Sequence, residues 1–135
     1  MLFVSQSCES TIEPLPEGAF VYTSYDSLGT IIAKGWLTIN FNDSAYVKGE
    51  WKINKVGNPQ RIGPQIGDGK LVGSFLEDKL HIELNPNIVD NNLGLIGNLD
   101  GDIYRGTWEY SSFIGITNWG RFEAISQLTS SLFKK

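Results

Sequence analysis

The stretch Tyr104–Tyr110, YRGTWEY, alternates at every second residue between aromatic or glycine positions and polar positions. One set is Tyr104, Gly106, Trp108 and Tyr110, and the other is Arg105, Thr107 and Glu109. A period of two is typical of a β-strand that buries one face and exposes the other. The stretch therefore predicts a strand of a sheet whose inner face carries aromatic rings and glycines.

The same alternation recurs along the chain from Gly18 onward, and no segment keeps a helical period over three turns. We expect about eight strands, each with one apolar and one polar face. The predicted inner residues are Phe20, Tyr22; Gly35, Leu37, Ile39, Phe41; Val47, Gly49, Trp51, Ile53; Leu71, Gly73, Phe75; Leu80, Ile82, Leu84; Leu93, Leu95, Gly97, Leu99; Gly120, Phe122, Ala124.

Glycines stand on the inner face in the middle of most of these strands, where glycine usually weakens a strand. Hairpin pairing predicts a purpose for them, because it brings large residues opposite the glycines. The expected pairs are Gly35 with Trp51, Leu37 with Gly49, Gly97 with Tyr104, Gly120 with Trp108, and Gly106 with Phe122. Such packing accompanies strong sheet curvature, so we predict an all-β protein, an antiparallel up-and-down barrel of about eight strands. A two-sheet sandwich is the alternative.

The predicted connections differ in length between the two ends of the barrel. Short turns are expected at Asn42–Ser44, Glu77-Asp78 and Asp100-Gly101, and longer connections at 54–68, 85–92 and 111–116. Because connections alternate between ends, all the longer ones lie at one end, and a binding site is expected there.

The composition is that of one globular domain. The chain has 135 residues and a net charge of −4, from 11 Lys and Arg against 15 Asp and Glu, which disfavours binding to nucleic acid. One cysteine and one histidine exclude a disulfide framework and disfavour a metal cluster, so no metal and no cofactor are expected. We predict a signal remnant or tether at 1–17, the barrel at 18–126 and a C-terminal tail at 127–135.

The first residues, Met1–Cys8, read MLFVSQSC, and residues 9–16 continue as ESTIEPLP. This arrangement resembles the end of a bacterial lipoprotein signal peptide, in which the cysteine becomes the lipidated first residue of the mature protein. The segment departs from that pattern because it has no basic residue and because Ser5 replaces the usual Leu or Val. The resemblance implies a lipid on Cys8, membrane anchoring through it, and a place in the bacterial cell envelope. The alternative is a tail with a free thiol.

Short motifs on the predicted strands resemble those of the calycin superfamily, the lipocalins, fatty-acid-binding proteins and avidins. They are Gly18-Ala19-Phe20, where lipocalins have Gly-x-Trp, the avidin-like steps Gly49-Glu50-Trp51 and Gly106-Thr107-Trp108, and the loop Val56-Gly57-Asn58. The tryptophan-rich strand of avidins has no counterpart in Leu80–Leu84. The resemblance implies a small meander barrel whose long-loop end is its mouth.

Six inward residues are expected nearest that mouth: Tyr22, Ser24, Trp51, Trp108, Tyr110 and Asn118. Aromatic walls with a few hydroxyl and amide groups line many small-molecule pockets, although the same side chains also fill a barrel of this size. We therefore predict a small apolar or aromatic ligand, of unknown identity. No catalytic residue is assigned, because the predicted inner face carries no titratable acid or base.

Two other functions stay open. The loop at 54–68 is long enough to form a lid, or a wedge that enters a partner's cleft as in small bacterial inhibitor barrels. With Trp36 and Trp119 on polar faces, it predicts an interaction or inhibitor protein that binds a protein partner. An enzyme of the dirigent or allene-oxide-cyclase kind, which depends on shape, is the third hypothesis.

Overall fold

The computed structural model describes residues 15–41, 46–86 and 91–127, and these residues form nine strands. The strands are β1 (Ala19–Asp26), β2 (Ile31–Thr38), β3 (Asn40–Phe41), β4 (Tyr46–Lys55), β5 (Gly67–Leu76), β6 (Lys79–Glu83), β7 (Asn91–Asp100), β8 (Ile103–Ser112) and β9 (Gly115–Ser126). None of the described residues belongs to a helix long and apolar enough to cross a bilayer. Cys8 and the proposed tether and tail lie mostly outside the described residues.

The strands form one antiparallel sheet in the order β2-β1-β9-β8-β7-β6-β5-β4-β3, and β2 also pairs with β4. That last pairing closes eight strands into a barrel, as the alternation predicted. The short β3 pairs with β4 in the register that β2 has already set, since Leu37 lies opposite Trp51 and Asn40 opposite Lys48. β3 therefore extends β2 past an interruption at Ile39.

The inner faces form one core in the barrel, and most of the predicted inner residues are buried in it. The core residues are Tyr22, Ile32, Ala33, Leu37, Val47, Trp51, Ile53, Leu71, Leu80, Ile82, Leu84, Leu93, Leu95, Tyr104, Trp108, Phe122 and Ala124. The predicted inner residues Phe41 and Phe75 remain 54% and 37% exposed, with their rings stacked 6.1 Å apart. They keep the alternation but stand at strand ends, beyond the last layer of the core.

Neighbouring backbones approach closely where the inner face carries glycine. A Cβ on Gly106 would lie 2.0 Å from the Ile96 carbonyl oxygen, and one on Gly97 would lie 2.1 Å from that of Arg105. No side chain fits at such a separation, so the strands bend together at these points. The predicted pairs Gly120 with Trp108 and Gly106 with Phe122 are confirmed.

The other expected pairs are wrong by two residues. Gly97 lies opposite Gly106, because the turn occupies Gly101-Asp102 with Gly101 at φ 64°. A turn centred one residue further along the chain shifts each cross-strand pair by two. Gly35 lies opposite Ile53, and Leu37 opposite Trp51.

The connections at the long-loop end are also more varied than predicted. The loop between β4 and β5 spans 56–66, whereas β8 and β9 are joined by a tight turn at Phe113-Ile114. The prediction of a longer connection at 111–116 is wrong, because both strands continue pairing to Ser112 and Gly115. Residues 42–45 and 87–90, which include the predicted Asn42–Ser44 turn, lie outside the described residues.

Two glycines of β7 give a matched test of this close approach. Gly97→Ala places a methyl group against the β8 backbone and is expected to lower the free energy of unfolding by about 3 kcal/mol. Gly94→Ala is the control, because its nearest atom, the Ile82 carbonyl oxygen, lies 3.8 Å away. We expect its effect to stay below about 1 kcal/mol in urea unfolding. Equal costs for the two variants would contradict the role assigned to Gly97.

Candidate functional site

Two hydroxyl groups point into the barrel from β1 near the long-loop end. Tyr22 and Ser24 follow the inward alternation of that strand, and both are fully buried. A buried hydroxyl without a hydrogen-bond partner is costly. The residue that accepts hydrogen bonds from these hydroxyls therefore identifies the segment that occupies the mouth of the barrel.

The mouth is occupied by the loop at 56–66, which we call the plug loop. Its Gln65 is fully buried, and its Oε1 accepts hydrogen bonds from the Tyr22 hydroxyl at 3.3 Å and the Ser24 hydroxyl at 3.1 Å. Gln65 Nε2 donates to the Ile62 carbonyl at 2.9 Å. The carboxamide thus has partners on both its oxygen and its nitrogen.

The outer part of the plug loop is fastened to β9. Asn118 Nδ2 donates to the Arg61 carbonyl at 2.7 Å, and the Arg61 guanidinium donates to the Thr117 carbonyl at 3.3 Å. At this point β9 has a β-bulge, since Tyr110 pairs with Asn118 and Ser111 with Ile116. The bulge leaves Thr117 as the extra residue and makes its carbonyl available to the loop.

Tyr110 lies beneath the plug loop and shapes its backbone. A Cβ on Gly63 would come within 2.5 Å of the Tyr110 ring, and Gly63 has φ 71°. Both the space and the backbone angle require glycine here. The loop therefore seats directly on the aromatic wall that the sequence predicted.

The two buried tryptophans are also engaged within the chain. Trp51 Nε1 donates to the Leu84 carbonyl at 2.9 Å, and Trp108 Nε1 donates to the Tyr25 carbonyl at 2.8 Å. The indoles therefore seal the wall and leave no indole N–H directed at the mouth.

Of the six predicted site residues, Tyr22, Ser24, Trp51 and Trp108 are buried, whereas Tyr110 and Asn118 are half-buried and contact the plug loop. Their role in binding a ligand stays a prediction. Sequence reasoning missed Gln65 and Arg61, which complete the cluster. The signal for them was indirect. The length of the loop predicts a lid or a wedge, but nothing in its residue order shows which of its side chains enters the barrel.

The electrostatics of the cluster are those of a neutral, dry site. Burial raises the pKa of Tyr22 well above its usual value, with the Ser24 hydroxyl acting weakly in the opposite direction. Burial also raises the pKa of Tyr104, and the nearby Tyr22 adds to the shift. The buried polar residues among those described are Ser24, Thr38 and Gln65, none of them charged. Within the same ranges, no three metal-ligating side chains lie together.

The turn between β8 and β9 exposes apolar side chains to solvent. Phe113 and Ile114 are each 86% exposed, and Ile116 and Trp119 on β9 are also exposed. Two-residue hairpin turns usually carry Gly, Asn or Asp, so local turn chemistry does not explain these side chains. The segment Ser111–Gly120 contains no charged residue.

This hairpin projects beyond its neighbour on one side. The last β9 residue paired with β1 is Gly120, opposite Asp26, and β9 extends from there to Gly115. Leu28, at the tip of the shorter β1–β2 turn, is exposed as well. The predicted exposed Trp36 is half-buried on the outer face, whereas Trp119 is 51% exposed.

Comparison with known proteins adds no relative to this description. No protein-family model matches the chain, and neither a curated protein nor a solved structure matches it at a significant level. The closed barrel is therefore established by the strand pairing of the chain itself.

A double-mutant cycle tests the role of Gln65. Gln65→Leu removes the acceptor for two buried hydroxyls and is expected to lower the free energy of unfolding by about 2–4 kcal/mol. Adding Ser24→Ala to that variant should cost about 1 kcal/mol less than Ser24→Ala alone, because its hydroxyl has already lost its acceptor. Urea unfolding of the four proteins measures the difference. Strictly additive costs would show that the two side chains do not interact.

The buried phenols predict sensitivity to alkaline pH. Both raised pKa values keep Tyr22 and Tyr104 protonated in the folded protein, while the unfolded chain ionises near pH 10.0. Their contribution to stability is therefore complete below about pH 10 and is lost as pH rises above it. Tyr104→Phe should reduce the loss of stability between pH 10 and 11 by about 1 kcal/mol, because the phenol of the unfolded chain goes from half to almost fully ionised over that range. An unchanged slope in urea unfolding at each pH would contradict this assignment.

Proposed function

We propose that this protein is an interaction protein that binds a protein partner through the β8–β9 hairpin at its long-loop end. The observation that carries the proposal is the exposure of Phe113 and Ile114 at the tip of this hairpin, within the segment Ser111–Gly120 that contains no charged residue. Exposed apolar side chains that local structure does not require are typical of contact sites.

The energetics of such a tip favour a partner with an apolar cleft. Full burial of a Phe or Ile side chain is worth about 1.5–3 kcal/mol each, and no charge has to be desolvated. The hairpin is convex and projects past β1, so it complements a concave surface better than it complements its own copy. Trp119 on β9 and Leu28 in the β1–β2 turn are further exposed apolar side chains at this end of the barrel.

A small-molecule ligand at the mouth remains a prediction, and in the closed structure the plug loop takes the place of such a ligand. Gln65 already satisfies Tyr22 and Ser24, and the plug loop covers the mouth. The absence of enzymatic activity also stays a prediction. It is supported by the uncharged character of the buried residues that are described.

The calycin relationship and the envelope location belong to the same proposal. The closed meander barrel supports the first, since a calycin has that architecture. For the second, Leu15 and the start of β1 lie at the barrel end opposite the Phe113-Ile114 tip. A lipid on Cys8 would therefore tether the protein by one end and present the hairpin at the other.

Photo-cross-linking directly tests the β8–β9 hairpin, which we call the docking hairpin. Phe113 is replaced with benzoylphenylalanine, the protein is added to an envelope extract of its host, and the adducts are resolved by mass. We expect an adduct that excess wild-type protein suppresses. Excess Phe113→Ser/Ile114→Ser protein should be at least about tenfold less effective, because it lacks the two apolar contacts.

The matched control lies at the other end of the barrel. Tyr46 and Leu76 are 60% and 59% exposed there, so Tyr46→Ser/Leu76→Ser removes a similar apolar area. This variant should compete as well as the wild-type protein. Equal competition by the hairpin variant would refute the proposal, and a dimer seen by sedimentation that depends on Phe113 would identify a second copy as the partner instead.

A further inference from the structure

The plug loop is bracketed by two residues suited to act as hinges. Gly57 has φ 74° and Gly67 has φ 125°, and a Cβ on either would meet no neighbouring atom. These glycines are free of packing and adopt backbone angles that other residues rarely reach. Between them the loop enters the mouth as one segment, so movement at two points would lift it out.

Hydrogen bonds to groups on the barrel hold the loop down together with the packing of Ile62 against the core. Asn118 and Thr117 of β9 bond to Arg61, while Asn85 Nδ2 donates to the Pro64 carbonyl at 3.3 Å. Arg61 itself has φ 56°, an angle that is unfavourable for a side chain bearing a Cβ. The closed loop therefore combines several exchangeable hydrogen bonds with one strained residue.

The Gln65 carboxamide occupies the position that the carbonyl group of a small molecule would take. Its carbonyl oxygen receives both hydroxyls, and its nitrogen bonds only within the loop, to Ile62. Lifting the loop thus removes the carboxamide completely and uncovers the two hydroxyls as well as the Tyr110 ring that Gly63 covers in the closed loop. These groups carry no charge at neutral pH, because serine and tyrosine hydroxyls are protonated there.

We infer that the plug loop is a lid that occupies, with Gln65, a second binding site in the barrel. The site takes a small neutral molecule that has an aromatic ring and a carbonyl oxygen. The oxygen replaces Gln65 Oε1 on Tyr22 and Ser24, and the ring lies against Tyr110 in place of the loop backbone. This site is separate from the docking hairpin, whose side chains face solvent.

A lid of this kind makes a quantitative prediction. The apparent dissociation constant equals the intrinsic one divided by the fraction of molecules with the lid open. A variant that weakens the closed lid without altering Tyr22, Ser24 or Tyr110 must therefore bind the same molecule more tightly. Loss of one hydrogen bond raises the open fraction about fivefold.

Benzamide is a suitable probe, because it joins a phenyl ring to a carboxamide like that of Gln65. Its affinity is measured by NMR titration of the full chain and of Asn118→Ala, which loses the bond to the Arg61 carbonyl. We expect about fivefold tighter binding by Asn118→Ala, and a similar gain from Arg61→Ala, which removes the separate bond from the guanidinium to the Thr117 carbonyl. Asn98→Ala, on the exposed outer face of β7, should bind as the wild type does.

Two further measurements establish where the probe binds. In Asn118→Ala the benzamide protons should give intermolecular NOEs to the rings of Tyr110 and Tyr22, and benzoate, which carries a charge, should not compete with benzamide. Equal affinity in the wild type and both lid variants, no binding in any of them, or the absence of these NOEs would overturn the lid. These outcomes are independent of the cross-linking at Phe113, so the two proposals fail separately.

Discussion

The close approach of neighbouring backbones at inward glycines is the constraint on which the rest of the structure depends. At Gly97 and Gly106 the separation leaves no room for a Cβ, so the strands bend together there. Bending repeated around the sheet brings β2 back to β4 and closes the barrel. Closure in turn narrows the interior until apolar side chains fill most of it. The glycines therefore determine both the shape of the wall and the small space that remains at the mouth.

That small space explains the chemistry of the mouth. The interior near the long-loop end holds two hydroxyls that water does not reach, and a single carboxamide satisfies them both. One neutral side chain is a physically economical solution, since a charged group would need a buried counterion. The β-bulge at Thr117 has a matching role on the rim, because it turns a strand carbonyl toward Arg61. The plug loop is thus held by groups from β1 and β9.

The β-bulge at Thr117 belongs to β9, the strand that both fastens the plug loop and leads to the apolar tip of the docking hairpin. Asn118 and Thr117 bind the loop, and the apolar tip at Phe113-Ile114 lies a few residues further along the hairpin. A partner that engages the tip contacts the element to which the loop is fastened. The plug loop is held at the rim by these hydrogen bonds and by the packing of Ile62 against the core. The two proposed activities are therefore neighbours in the structure while depending on different side chains.

The amino-acid sequence by itself determined the strands, their inner faces, the closed barrel and the end at which polar and aromatic groups gather. These features follow from period-two alternation and from glycine placement, which are local in the chain. The pairs Gly120–Trp108 and Gly106–Phe122 followed from them, whereas Gly97 was misplaced because the turn at Gly101 is centred one residue later. Only the tertiary structure decided that Gln65 fills the mouth and that Phe113 stays in solvent. Both depend on where distant segments end in space: Gln65 meets Ser24 across 41 residues of sequence, and no local periodicity encodes that distance.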